Sequence, residues 1–96
     1  MDKLEAMEML ALQLTPYRAL RYEDLVAFIE SQGNSFEVTA PSGVQYYGEV
    51  QAFWDSRRGG DVRVLGSIDD GKSLWHTFVP LCDSFIMAPD GSFVGE

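Results

Sequence analysis

One segment of the chain has the residue spacing of a phosphate-binding loop. Residues 66–73 read Gly-Ser-Ile-Asp-Asp-Gly-Lys-Ser, which fits the pattern G-x-x-x-x-G-K-S. That loop binds phosphate where it leads into a helix whose first amide groups point at the ligand. Here residues 74–80 alternate like a strand and end in a proline, and Asp69 and Asp70 would repel phosphate. We therefore predict a hairpin turn at residues 69–72 and no nucleotide site.

The single histidine and the single cysteine lie close together in the sequence. His76 with Cys82 and Asp83 has the residue types of a thiol nucleophile and its base. The strand alternation instead predicts that His76 packs between two apolar neighbours, and a lone cysteine is ordinarily a small buried hydrophobe. We predict no catalytic residues within one chain. The enzyme alternative that stays open is a site shared across a dimer, combining His76, Asp83 or Tyr46 with a partner chain.

The sequence also predicts neither a metal ion nor a cofactor. One histidine and one cysteine cannot form a zinc cage without carboxylates. Asp69, Asp70 and Asp90 all fall in predicted turns, where aspartate is common. A calcium loop that started at Asp69 would need glycine where Leu74 stands.

Charge and hydropathy narrow the classes of partner. The 96 residues include 15 acids and seven bases, for a net charge of −8. With no basic stripe, we expect the chain to bind neither nucleic acid nor an anionic membrane, and to attract a basic protein. No apolar run approaches the ~20 residues of a membrane helix. With one cysteine and an acidic N-terminus, the expected location is the cytoplasm.

Hydrophobic periodicity predicts a single α+β domain over residues 1–96. Apolar residues three and four apart predict a first helix whose buried stripe is Leu4, Met7, Leu10, Ala11 and Leu14. Thr15-Pro16 is expected to stop it, since the residue before proline avoids the helical region. A second helix is predicted over residues 22–32, ended by Gly33-Asn34.

From Phe36 onward the period changes to two. Strands are predicted at residues 36–40, 44–55, 62–68, 74–79, 85–88 and 93–94. Two helices followed by a run of strands favour an antiparallel meander of about five or six strands, with both helices packed on one face. Gly48 and Gly66 fall inside strands, which favours a bulge, sheet coiling or the close approach of a helix over a ligand groove.

The opposite face of this sheet is the candidate binding surface. If Trp54 pairs with Val62, then Phe53 lies opposite Arg63 and both point away from the helices. Aromatic residues and arginine are enriched at protein interfaces. The candidate interface residues are Tyr47, Phe53, Arg63 and Leu65. The alternative is that the sheet is covered on both sides and that these residues belong to the core or flank a long loop.

The C-terminal half of the chain resembles a group of small uncharacterised bacterial proteins. The segments that carry the resemblance are Phe53-Trp54-Asp55, Gly60-Asp61-Val62-Arg63-Val64, Gly66-Ser67-Ile68-Asp69-Asp70-Gly71 and Pro89-Asp90-Gly91-Ser92-Phe93-Val94-Gly95-Glu96. The resemblance implies a bacterial origin and a compact α+β domain. It assigns no activity and no site residue.

Together these patterns favour a non-enzymatic module for binding another protein. A specific version is an acidic, antidote-like or immunity-like protein that neutralises a basic partner, and a second copy of the chain is another candidate partner. One alternative is a small-molecule-binding domain that uses aromatic residues between helices and sheet. The other is the small enzyme with a site shared across a dimer.

Overall fold

The computed structural model describes residues 2–71 and 80–95. These residues form two helices and one four-stranded antiparallel sheet. The elements are α1 (Lys3–Arg18), α2 (Tyr22–Ile29), β1 (Asn34–Thr39), β2 (Gln45–Trp54), β3 (Val62–Asp69) and β4 (Leu81–Met87). The strands lie in the order β1-β2-β3-β4, which confirms the α+β class and the antiparallel meander.

The expected five or six strands are not confirmed, since the described residues form four. The strand predicted for residues 74–79 lies outside the described residues. The strand predicted at the C-terminus is reduced to one bridge between Phe93 and Met87. The strand predicted over residues 85–88 begins earlier, at Leu81, because Cys82, Asp83 and Ser84 pair with β3 despite their polarity.

Helix α1 begins at Lys3 and ends later than the sequence predicts. Oδ1 of Asp2 accepts the amide of Glu5 at 3.0 Å, which caps the first turn. The predicted stop at Thr15-Pro16 is wrong, because the helix continues to Arg18 with Pro16 inside it. A proline in the last turn removes only one main-chain donor, and the Thr15 hydroxyl donates to the Ala11 carbonyl at 3.0 Å.

The buried stripe of α1 is also different from the predicted one. The buried residues are Ala6, Met9, Leu10 and Leu14. Leu4 and Ala11 were expected in the core, yet Leu4 is 72% exposed and Ala11 is exposed. Apolar residues occur on every side of this helix, so their spacing alone does not select the face that packs on the sheet.

Helix α2 is shorter than predicted. It ends at Ile29, and the Ser31 hydroxyl donates to the Phe28 carbonyl at 2.7 Å, which satisfies an acceptor at the helix end. Gly33, which was expected to end this helix, instead takes a φ of +80° three residues after the Glu30 cap, where the chain turns into β1. The Tyr22 hydroxyl donates to the Gly60 carbonyl at 2.7 Å and ties α2 to the β2–β3 loop.

The register of β2 and β3 is the predicted one. Trp54 pairs with Val62, and Phe53 pairs with Arg63. Residues of β3 alternate strictly between buried and half-buried, so one face of the sheet carries the core. The core-facing strand residues that are buried are Tyr46, Val50, Val62, Val64, Ile68, Phe85 and Met87, and they form one cluster with the buried residues of α1 and α2. We call this the inner face, and the opposite side the outer face.

Close approach explains the two glycines inside strands. A Cβ at Gly66 would lie 2.9 Å from Cδ1 of Leu10 and 3.0 Å from Cδ2 of Leu14, so α1 rests directly on the β3 backbone. A Cβ at Gly48 would overlap the Ser67 carbonyl oxygen and the Phe36 ring. Both glycines therefore act in packing, as the sequence predicts.

Two turns share the sequence pattern Ala-Pro-x-Gly, and each reverses the chain at one end of the sheet. They are Ala40-Pro41-Ser42-Gly43-Val44 and Ala88-Pro89-Asp90-Gly91-Ser92. In each turn the first residue's amide donates to the fifth residue's carbonyl, and the glycine amide donates back to the first residue's carbonyl, all at 2.8 Å. The glycines have φ of +91° and +88°, which closes a hairpin with a bulge at the glycine.

The contact at Gly66 gives a stability prediction. The Gly66→Ala substitution should lower the free energy of unfolding by about 1–3 kcal/mol, because Leu10 and Leu14 are fully buried and cannot move aside cheaply. Urea unfolding followed by circular dichroism measures the change. The control is Ser67→Ala on the outer face, with an expected change within about 0.5 kcal/mol. A Gly66→Ala protein as stable as the wild type would contradict this packing.

Candidate functional site

All four predicted interface residues lie on the outer face of the sheet. Tyr47 and Phe53 point outward from β2, and Arg63 and Leu65 point outward from β3. The side chains are accessible: Tyr47 is 41% exposed and Phe53 is 39% exposed, while Arg63 and Leu65 are half-buried. These side chains can be accessible without loss of the core, because the core lies on the inner face of the sheet.

The structure brings three of these four residues together and separates the fourth. Phe53 lies opposite Arg63, and Leu65 is the next outward residue of β3. Tyr47 is six residues from Phe53 along β2, which places it roughly 20 Å away. There it pairs with Asp69, and the Tyr47 ring lies beside Gly71.

A fourth member of the cluster comes from β4 and is absent from the sequence prediction. Ile86 pairs with Arg63 on the side opposite Phe53, and it is half-buried. Ser84 and Ile86 are two residues apart, and this spacing could have indicated that both point to one face. The strand was predicted to begin only at Phe85, so the spacing was not used. Phe53, Arg63, Leu65 and Ile86 are called the outer patch below.

Arg63 is held in place at the centre of the outer patch. Its Nε donates to Oδ1 of Asp55 at 2.9 Å, and its Nη1 donates to the Ser84 hydroxyl at 3.1 Å. Both charged side chains are partly exposed, so this ion pair adds only about 0–1 kcal/mol to stability. Its effect is on orientation, because the guanidinium is fixed before any partner arrives.

Acidic residues outnumber basic ones on the outer face of the sheet, among the described strand residues. Those on or beside the outer face are Glu37, Glu49, Asp55 and Asp69. Among the described strand residues, Arg63 is the single base on this face. Glu49 and Asp55 lie beside the outer patch, whereas Glu37 and Asp69 lie at the Tyr47 end of the sheet.

Tyr46, named for the enzyme alternative, has a structural role. It is fully buried on the inner face, and its hydroxyl donates to Oε1 of Glu5 at 2.9 Å. The same oxygen accepts the Ser42 hydroxyl at 2.8 Å. Burial, and then the nearby Glu5 carboxylate, raise the pKa of Tyr46 to about 12. The phenol therefore stays protonated at neutral pH and ties α1 to β2.

The other residues of the enzyme alternative are not gathered around Tyr46. Asp83 lies two strands away from it on β4, where Oδ1 accepts the Ser84 amide at 2.9 Å. His76 lies outside the described residues. Cys82 was expected to be buried but is exposed, because β4 starts early enough to turn it to the outer face, opposite Ser67.

A solvent-open cleft of about 360 Å³ lies where the α1–α2 junction meets the C-terminal turn. Tyr22 and Phe93 line it together with Arg18, whose guanidinium lies 4.7 Å from the centre of the Phe85 ring. This cleft is the part of the described surface that bears on the small-molecule alternative. Within residues 2–71 and 80–95, no three His, Cys, Asp or Glu side chains are grouped to hold a metal ion.

No protein-family model, curated protein or solved structure matches the chain. None of the described helices has both the length and the apolar character needed to cross a membrane. A functional argument therefore has to begin from the described surface and its chemistry.

The Tyr46–Glu5 hydrogen bond predicts an alkaline dependence of stability. An unfolded tyrosine has a pKa of about 10. Because the folded-state pKa of Tyr46 is raised to about 12, its contribution is complete below pH ~10 and is lost as the pH rises toward 12. The free energy of unfolding should fall over this window more steeply for the wild type than for Tyr46→Phe. Urea titrations at several pH values measure both slopes, and equal slopes would contradict the assignment.

Proposed function

We propose that the protein is a non-enzymatic binding module whose outer patch docks a protein partner. The observation that carries the proposal is an apolar cluster, built around a fixed arginine, on a sheet face that lies opposite both helices. Exposed apolar clusters on soluble proteins commonly mark binding surfaces.

The outer patch has the composition of an interface centre. Aromatic and arginine side chains carry much of the binding energy at protein interfaces, provided that they are buried by the partner. Phe53 supplies the ring, and Arg63 supplies a donor that Asp55 and Ser84 already hold in place. A fixed side chain loses little conformational entropy when the partner binds, so more of the contact energy appears as affinity.

The acidic outer face and the net charge of −8 support a basic protein as the partner. Glu49 and Asp55 lie beside the outer patch, and opposite charges across an interface accelerate association. This arrangement fits an antidote-like protein that neutralises a basic target. Association should then weaken as the salt concentration rises. A homodimer through the same patch is the other form of partner, and sedimentation of the purified protein distinguishes the two.

A small-molecule-binding domain is the second candidate function. Its support is the cleft lined by Tyr22, Phe93 and Arg18, in which the Arg18 guanidinium lies over the Phe85 and Phe93 rings. The enzyme alternative, a site shared across a dimer, has no comparable support in the described residues, because Tyr46 is fully buried and bonded to Glu5.

The double substitution Phe53→Glu/Leu65→Glu should keep the fold and abolish partner binding, because it puts two charges in the outer patch. Wild type and variant would be immobilised in parallel and exposed to native lysate, with bound proteins quantified by mass spectrometry. Leu4→Glu/Leu12→Glu is the matched control. It likewise replaces two apolar side chains by carboxylates, here on α1, where Leu4 is 72% and Leu12 is 63% exposed.

A partner that both the wild type and the α1 control retain, and that the outer-patch variant loses, would support the proposal. Loss of the partner in the α1 control alone would move the interface to α1. Unfolding of the outer-patch variant, seen by circular dichroism, would show that Phe53 and Leu65 belong to the core and would refute the proposal.

A further inference from the structure

The two edges of the sheet differ in what covers them. At the β4 edge, Phe93 forms a bridge with Met87, and the Val94 amide donates to the Ile86 carbonyl at 2.9 Å. At the β1 edge, none of the described residues pairs with the outward side of the strand. An uncovered edge presents a row of main-chain donors and acceptors to another chain.

The hairpin between β1 and β2 determines which main-chain groups face that edge. The Ala40 amide donates to the Val44 carbonyl, so this pair is hydrogen-bonded. Hydrogen-bonded and non-bonded pairs alternate along an antiparallel ladder. Counting back along β1, Val38 and Phe36 bond to β2. The amides and carbonyls of Ser35, Glu37 and Thr39 therefore point away from the sheet.

The side chains of β1 would present different chemistry on the two sides of an added strand. Ser35, Glu37 and Thr39 are exposed on the outer face, and Phe36 and Val38 are half-buried on the inner face. A chain that paired here would lie beside a carboxylate on one side and beside two apolar side chains on the other. The β1 edge would therefore favour some partner sequences over others.

Glu37 also disfavours pairing between two copies of this chain. The antiparallel register that uses Ser35, Glu37 and Thr39 of both copies puts Glu37 directly opposite Glu37 of the second copy. Like charges at directly opposed positions destabilise a strand pair. On the outer face of β1 and β2, the described residues include Glu49 and no base to offset the repulsion.

We propose that β1 is a strand-addition site for an extended segment of another protein, which places a basic side chain opposite Glu37 and apolar side chains beside Phe36 and Val38. Main-chain hydrogen bonds to Ser35, Glu37 and Thr39 supply affinity, and the alternating side chains supply selectivity. The site is separate from the outer patch and does not rest on the proposed function.

Two capped peptides test this site on the intact protein. The first is acetyl-Thr-Val-Lys-Val-Thr-amide, and the second has Glu in place of Lys. In nitrogen-15 NMR titrations, the lysine peptide should shift the amides of Ser35, Glu37 and Thr39 saturably and slow their hydrogen exchange. The amides of Phe36 and Val38 already donate to β2, so their exchange should change little.

Charge and edge variants supply the controls. The lysine peptide should bind the wild type about 3- to 10-fold more tightly than the glutamate peptide does, and Glu37→Lys should reverse that order. Ser35→Pro should abolish binding of both peptides, because it removes one outward donor and no bond to β2. If Ser35→Pro fails to fold, the reversal by Glu37→Lys decides alone.

Three results would overturn the proposal: no saturable shift at millimolar peptide, equal affinity for both peptides, or shifts centred on Phe53 and Leu65 in place of β1. The last result would refute strand addition while leaving the outer patch as a binding surface. Conversely, loss of the outer-patch interaction would not affect the response of the β1 amides, so the two proposals fail separately.

Discussion

The contact between α1 and the β3 backbone at Gly66 determines how the rest of the molecule is arranged. Leu10 and Leu14 sit where a side chain of β3 would otherwise project, so the helix lies close to the sheet and one face of the sheet is sealed. Once that face holds the core, strand alternation sends every second side chain to the other side. The exposure of Phe53 and the central place of Arg63 follow from packing on the opposite face, and a functional constraint need not be invoked to explain them.

The alternation of residues along the strands predicted the pairing of β2 with β3 correctly. The β2–β3 register follows from two long runs of alternating residues joined by a glycine-rich loop, and a shift of one residue would expose the whole core. Phe53, Arg63 and Leu65 could be assigned to the outer face for that reason. Ile86 lies inside the predicted strand 85–88 but was not assigned to the outer face, because β4 starts at Leu81 and the polar residues after it hide the pairing with β3.

The errors on α1 have a common physical origin, which is that tertiary contacts decide what local patterns leave open. Pro16 is tolerated because the last turn is held by other contacts: Tyr17 packs on Phe28 with ring centres 5.2 Å apart and accepts a hydrogen bond from Asn34. The buried stripe could not be chosen because leucines occupy several sides of the helix. Leu4 remains exposed since the sheet contacts the side that carries Leu10 and Leu14.

Part of the chain's acidic surplus lies on surfaces where two copies of the chain could meet. A sheet with an open edge and an apolar outer patch has two surfaces on which copies of the chain could associate. Glu37 lies in the middle of the β1 edge, so pairing of two copies along this edge would bring two carboxylates together. This repulsion acts between two identical acidic surfaces, whereas an acidic surface attracts a basic one. Under the proposed strand addition at β1, the Glu37 carboxylate that disfavours pairing of two copies is also the group that favours a basic side chain on the partner.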